Sequence, residues 1–509
     1  MARSAVSVNP VPVIAGLLVA GLTLGPVAAV IWRGAAWSAL APGDWHAIRF
    51  TLVQAVISAG LSVLFAVPVA RALARRQFVG RGALVALLGA PFILPVIVAV
   101  LGLLAVFGQS GLVNTALRAM DLPEVTIYGL HGVVIAHVFF NLPLAVRMIL
   151  QGWLAIPAER FRLAASMDLA GAQMFRVLEL PMLGRIAPGA FAVIFVVCLS
   201  SFAIALTLGG GPKATTVELA IYQAMRFDFD LARASVLAVI QLGLALVAGL
   251  IALQVSTGAG FGAGQDRVVL RWDGGGFARI MDMVWIALVA LFLLTPLLMV
   301  VLRGLPGLLT LGPSVWQAAG HSVLVALCST LLCLIWALPL ATRGGELLGI
   351  AGIAVSPLVL GTGLFLILRP YVNPLDHALV VTGVVNALIS LPFALRILRP
   401  EADAVRRDYG RLGAALGLSG CAWARWVLVP RLRRPLGFAG GLTVALSMGD
   451  LGVIALFADP DHATLPLKVY ELMGAYRMEG AAGAALLLLL LSLGLFWLFD
   501  RGGRVDAVA

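Results

Sequence analysis

Charge is what this sequence has least of. Only 12% of its 509 residues are Asp, Glu, Lys or Arg, about half the share of an ordinary soluble domain. Lysine is almost missing: Lys213 and Lys468 stand alone, and neither precedes the Ser or Thr that a phosphate-cradling P-loop requires. P-loop ATP hydrolysis is therefore excluded from the chain itself. Four cysteines, Cys198, Cys328, Cys333 and Cys421, show no paired spacing, which argues against a disulfide framework and for packing roles. Six scattered histidines lack ligand spacing, and no nucleophile and base form a recognisable pair. The expectation is no enzyme, no catalytic residue, no metal and no cofactor.

Apolar surface is there in excess. The chain is 61% hydrophobic, with a mean hydropathy of +1.04. Runs of about 20 residues, enough to cross a bilayer, occur at 11–32, 51–70, 83–107, 131–150, 186–208 and 234–255. A second set covers 283–302, 322–341, 347–368, 377–398, 436–457 and 480–499. Unpaired backbone groups are costly in hydrocarbon, so these are expected to be helices. The predicted class is an all-α, polytopic membrane protein with twelve transmembrane helices. The first run is longer than a signal-peptide core and no clear cleavage site follows, so it reads as an uncleaved span. With the amino terminus inside, most basic residues fall on the cytosolic side, including Arg71, Arg75, Arg76, Arg81, Arg431, Arg433 and Arg434. Both termini are then cytoplasmic. The formal charge of +11 follows from this topology and from lipid head groups, with no nucleic acid needed.

The chain also repeats itself. Leu142, Pro143, Ala145 and Arg147 match Leu391, Pro392, Ala394 and Arg396, an offset of 249 (391 − 142). The same offset joins Arg162 to Arg411, Gly171 to Gly420 and Pro181 to Pro430; an offset of 248 then joins Thr216 to Thr464 and Tyr222 to Tyr470. Residues 1–255 and 280–509 are read as two parallel six-span repeats, joined by a glycine-rich cytosolic linker at 256–279.

Between the fourth and fifth span of each half lies a long cytosolic segment, 155–185 and 399–434. In the first, Phe161, Ala164 and Ala165 recur at helical spacing, the pattern stops at Ala170–Ala172, and Met174, Phe175 and Leu178 resume it. That spacing predicts two short helices joined by a tight turn along the membrane surface. Such a loop either caps the bundle or docks a partner. Its occurrence in register in both halves favours docking, one partner copy per loop. The spacing resembles the EAA loop of ATP-binding-cassette importer permeases: EAA, three residues, Gly, nine residues, Ile, one residue, Leu-Pro. Here RLAASMD ends at Asp168 and RLGAALG at Gly417, each followed by nine residues and then Leu178 with Pro181, or Val427 with Pro430. Arg162 and Arg411 depart from the glutamate position and Asp168 from the glycine position. The resemblance implies ATPase coupling through Arg162, Leu163, Ala164, Ala165, Asp168, Gly171, Leu178 and Pro181. In the second half it implies Arg411, Leu412, Gly413, Ala414, Gly417, Gly420, Val427 and Pro430. It further implies a separate ABC ATPase subunit in two copies and a periplasmic substrate-binding protein.

AHVFFNLPLA (136–145), LGGGPKATTVELAIYQA (208–224) and SMGDLGVIALF (447–457) resemble thiamine-transporter permeases more closely than the ferric-iron permeases that share the fused plan. The resemblance implies a MetI-like fold, a bacterial cell inner membrane location and import of thiamine or its phosphates. Twelve spans in two repeats would also suit a proton-coupled major facilitator. Its acidic loop signature is missing from RALARRQFVGRGAL (71–84), and the long loops follow span four of each half rather than lying centrally.

Polar residues inside spans mark pathways, because lipid disfavours them. At the repeat offset His137 pairs with Asn386, Asn141 with Ser390, Cys198 with Ser447, and Ser201 with Asp450. Ser447 and Asp450, three apart, are expected on one helix face. These residues are expected to line a central cavity; helix-to-helix hydrogen bonding is the other reading for the small ones. Asp450 stands apart as a carboxylate, about 15 residues into its helix and distant from Arg147 and Arg396 at roughly 1.5 Å per residue. It suits a small cationic substrate such as thiamine. The outward loops 209–233 and 458–479 carry Asp228, Asp230, Asp459, Asp461 and Glu471, a bias that fits either binding-protein docking or positive-inside sorting.

Overall fold

Proline decides where several of the long helices begin. Pro42, Pro313 and Pro357 each open one, at the position where the missing N–H leaves no hydrogen bond unmade. The computed structural model describes residues 10–34, 40–89, 93–169, 171–255, 275–342, 344–345, 355–457 and 462–504. Nearly all of these are helical. The order begins α1 (Pro10–Gly34), α2 (Pro42–Arg75), α3 (Arg81–Leu87), α4 (Val96–Phe107), α5 (Leu112–Ala119), α6 (Leu130–Leu154) and α7 (Ala158–Ser166). It continues with α8 (Gly171–Met174), a π-helical turn (Phe175–Glu179), α9 (Leu180–Leu199), α10 (Ala203–Leu208), α11 (Val217–Arg226) and α12 (Leu231–Val255). Then follow α13 (Phe277–Leu309), α14 (Pro313–Leu340), α15 (Pro357–Leu368), α16 (Ala378–Ala415), α17 (Gly420–Trp423) and a second π turn (Ala424–Leu428). The chain closes with α18 (Val429–Arg431), α19 (Arg433–Met448), α20 (Gly452–Phe457), α21 (Leu465–Gly474) and α22 (Met478–Arg504).

Among the described residues eleven helices are long and apolar enough to cross a membrane. The expected span at 347–368 is described only as α15, twelve residues long. The span expected at 83–107 is divided between α3 and α4, with Pro95 capping the second piece. The spans expected at 186–208 and 436–457 are each broken near their ends, at 200–202 and 449–451. Most of the linker, 256–274, lies outside the described residues, and α13 begins at Phe277.

The first helix of each proposed half crosses to the other. A Cβ on Gly102 of α4 would lie 2.6 Å from the Pro296 carbonyl oxygen of α13, and one on Gly363 of α15 would lie 2.2 Å from that of Pro26 in α1. Only glycine lets these backbones meet so closely, the usual device for joining helices in lipid. The outer faces of α1 and α13 leave Leu17, Leu24, Leu291 and Leu298 exposed, as helices bathed in lipid should. Inside, one apolar cluster joins Val30, Ile97 and Tyr222 to Leu358, Val444 and Phe457. The core is shared by both parts of the chain.

Candidate functional site

Two helix breaks meet at the centre of the molecule. Ser200 and Ser201 follow α9; Gly449 and Asp450 follow α19. Ser and Asp side chains compete with the helix for backbone groups and glycine adds backbone freedom, so an apolar span yields there first. The Gly452 Cα lies close enough to the other break that a Cβ on it would be 3.7 Å from the Phe202 ring. The placement corrects one expectation: α19 ends at Met448, so Ser447 lies in its last turn and Asp450 beyond it, not on a shared helix face.

Backbone freed inside a membrane must be satisfied again by neighbours. At the first break three side chains from three helices do this. Gln54 of α2 donates to the Cys198 carbonyl (2.8 Å), Gln241 of α12 to that of Leu199 (3.0 Å), and Thr216 at the head of α11 to that of Ser201 (3.4 Å). At the second break these positions are occupied by Val325, Leu489 and Thr464, and no glutamine arrives. Instead Asp450 turns back on its own chain, its Oδ1 accepting from the Gly452 N–H at 3.2 Å and so starting α20. Its buried Oδ2 makes no hydrogen bond of good geometry, although the Asn386 amide and the Val453 and Ile454 N–H groups face the carboxylate, and neither Arg147 nor Arg396 pairs with it; Thr464 Oγ1 and the amide oxygens of Gln54 and Gln241 also lack a partner among the described residues. Unmatched acceptors and a carboxylate together favour a positive guest.

The remaining polar residues gather beside the breaks. His137 Nε2 lies 2.7 Å from Ser201 Oγ and its Nδ1 3.3 Å from Ser58 Oγ. Asn141 donates to Cys198 Sγ at 3.4 Å. Across the molecule Asn386 (3.0 Å) and Ser329 (2.9 Å) both donate to Ser447 Oγ. Ser390 is buried on the same helix as Asn386, at 1% exposure. The structure thus joins His137 to Ser201, Asn141 to Cys198 and Asn386 to Ser447, each within its own half. Ser58, Ser329, Gln54, Gln241 and the buried Glu218, which accepts from Gln241 at 3.3 Å, were not singled out from the sequence. A signal existed: Ser58 and Ser329 are 271 apart (329 − 58) in spans two and eight, and both glutamines interrupt apolar runs.

The two loops of interest share a backbone conformation. Asp168 and Gly417 both adopt left-handed φ, 53° and 66°, as do Gly171 and Gly420, 55° and 53°. Asp tolerates this region better than most side chains, so Asp168 keeps the geometry of the glycine it replaces. Each turn runs into a π-helical segment, Phe175–Glu179 and Ala424–Leu428. Leu163 and Met167 are exposed on the first loop, and Leu412 and Leu416, each 249 further on, on the second. Arg162, Ala165, Pro181, Arg411, Ala414 and Pro430 are also exposed, Leu178 and Val427 are half-buried, and Ala164 and Gly413 are buried. Gly413 is held by Trp423, whose ring would be 2.3 Å from an added Cβ. The loops differ in one respect from the expected pair of short helices: in the second, α16 runs unbroken from its span through Ala415. Of the acids expected on outward loops, Asp228 is ion-paired to Arg233 (2.9 Å) and Glu471 to Lys468 (3.0 Å), while Asp459 and Asp461 fall outside the described residues.

Crossing apolar helices, spans broken around buried polar groups and paired amphipathic loops define an all-α polytopic permease of the MetI-like fold. No family model matches the chain. It is 39% identical over 474 residues to the thiamine transport system permease protein ThiP of Brucella abortus (strain 2308), covering 90% of this chain and 87% of that one. It is 38% identical over 522 residues to ThiP of Salmonella typhimurium, covering 96% and 97%, and 39% identical over 484 residues to ThiP of Escherichia coli (strain K12), covering 90% and 89%. The chain belongs to the thiamine transport system permease family.

Proposed function

We propose that this chain is the membrane-spanning subunit of an ATP-driven importer that carries thiamine or its phosphates from periplasm to cytoplasm. The observation that carries this reading is likeness to thiamine permeases across nine-tenths of the chain. The same observation sets aside the ferric-iron and major-facilitator alternatives. ATP hydrolysis belongs to a separate ATPase subunit in two copies, one against each loop, since the chain has no P-loop. Exposed Leu163, Met167, Leu412 and Leu416 are the apolar contacts such a partner would cover. A periplasmic binding protein delivers substrate to the outward loops, and both termini face the cytoplasm of the inner membrane.

In this reading the helix breaks form the substrate path. His137, Asn141, Ser201, Asn386, Ser390 and Ser447 shape its walls by holding the broken spans together, and Asp450 meets the permanent positive charge of the thiazolium ring. The test is uptake of labelled thiamine against ferric iron in vesicles reconstituted with the ATPase and binding protein. ATP-dependent thiamine uptake is expected; uptake of iron alone, or uptake driven by a proton gradient without ATP, overturns the reading.

A further inference from the structure

The two loops are tied to the bundle in different ways. In the second half α16 is one helix of 38 residues, about 57 Å long at 1.5 Å per residue, running from the buried polar cluster into the loop. Although Pro392 and Pro400 each remove one of its hydrogen bonds, continuous helix connects its exposed end to its buried end. The first half has no such lever. There α6 stops at Leu154 and α7 starts afresh after Pro157, a break in the backbone that α16 does not have.

A different connection is present. Arg71 of α2 reaches the first π turn and holds it at both ends, with its Nε 2.6 Å from Glu179 Oε2 and its guanidinium 5.3 Å from the centre of the Phe175 ring. The Glu179 side chain is fully buried. One turn further along α2, Arg75 and Arg76 bond the two carboxylate oxygens of Asp282 at 2.5 and 2.7 Å. Asp282 belongs to α13, the helix that crosses over from the other half. The end of α2 is therefore ion-paired on one side to the loop's π turn and on the other to the partner half. At the repeat positions the chain has Thr342 for Arg71, Ala424 for Phe175, Leu428 for Glu179 and Pro12 for Asp282. The second π turn is followed instead by Arg431, which stays within its own loop, bonding and covering Tyr409 of α16.

We propose that Arg71 and Glu179 are positioning residues that transmit movement of the first loop to α2 and so to the helix breaks, replacing the continuous helix of the second half. The proposal rests on the loops being the ATPase contacts. A buried pair of this kind stabilises little in net terms but fixes geometry. The bond between them involves none of the polar groups at the helix breaks, and the Glu179 side chain is buried beneath the loop, so loss of the pair disconnects loop from path.

The experiment compares thiamine taken up per ATP hydrolysed in vesicles of the complete importer, for wild type, R71Q, E179Q and the exchange R71E/E179R. Uptake per ATP is expected to fall about tenfold in each single variant, within the range of ordinary couplings between sites, with hydrolysis retained. The exchange should recover most of it. Should R71Q or E179Q not reach the membrane, R71K decides. Its single-point ammonium cannot reproduce the guanidinium's grip on Glu179 and Phe175 together, so its ratio should fall about two- to threefold. An unchanged ratio in the single variants or in R71K overturns the proposal, as does a parallel fall in uptake and hydrolysis. Absence of ATP-dependent uptake in wild-type vesicles would instead count against the importer reading itself.

Discussion

Asp450 does two things with its two oxygens, and they can be separated. Oδ1 starts α20 by accepting from Gly452, while Oδ2 is buried with no basic side chain paired to it and only N–H groups of Asn386, Val453 and Ile454 facing the carboxylate. Asparagine keeps an acceptor for the cap and removes the charge. Asp450→Asn is therefore expected to insert normally and to lower thiamine uptake about tenfold, the loss of some 1.4 kcal/mol of attraction; wild-type uptake by this variant would end the counter-ion assignment. The glutamines of the first break act on the backbone instead. Gln54→Leu or Gln241→Leu strands a carbonyl that the broken helix cannot use, and each should cost about 1–3 kcal/mol of stability. Thermal unfolding in detergent checks this: both variants should melt below wild type, and an unchanged midpoint would show that these carbonyls do not depend on the glutamines.

At the scale of elements, the loops offer a separate test of coupling. Gly417 and Gly420 have left-handed φ and open space where a Cβ would go. A leucine at either position meets no clash but carries the conformational cost of roughly 1–2 kcal/mol that L residues incur there. The turn is expected to change shape without unfolding the bundle. Gly417→Leu should thus leave membrane insertion intact and lower uptake per ATP several-fold; failed insertion would favour a loop that merely caps the bundle. The lengths of most spans and the position of both loops were legible in the sequence, because hydropathy and helical spacing are properties of twenty-residue stretches. The breaks at 200–202 and 449–451 were not, since a window of that size averages two serines or a Gly-Asp pair into their apolar surroundings. Asp168 was legible as a departure from the glycine position but not as one that preserves the turn, because φ is invisible until the backbone is known. Arg71 read as a topology signal; that it grips Phe175 and Glu179 depends on packing between segments 108 residues apart.

The whole molecule is held together by exchange. Gly102 of α4 lies against Pro296 of α13, and Gly363 of α15 against Pro26 of α1, so each proposed half has its first helix seated on the other. Arg75 and Arg76 of α2 add an ion-paired tie to Asp282 of α13. A half made alone would lack the helix that covers its third span and would lose the ion pairs between Asp282 and the two arginines, a costly change in a low-dielectric site. Residues 1–255 and 280–509 expressed together as separate chains should therefore associate and support uptake, while either alone should be degraded or aggregate. Adding Gly102→Leu and Gly363→Leu forces a side chain into space already filled by a proline carbonyl on each seam. Affinity capture of one tagged half should then bring down its partner from the unaltered pair and lose most of it from the doubly substituted pair. Equal capture in both would mean that the halves are joined elsewhere than at the exchanged helices.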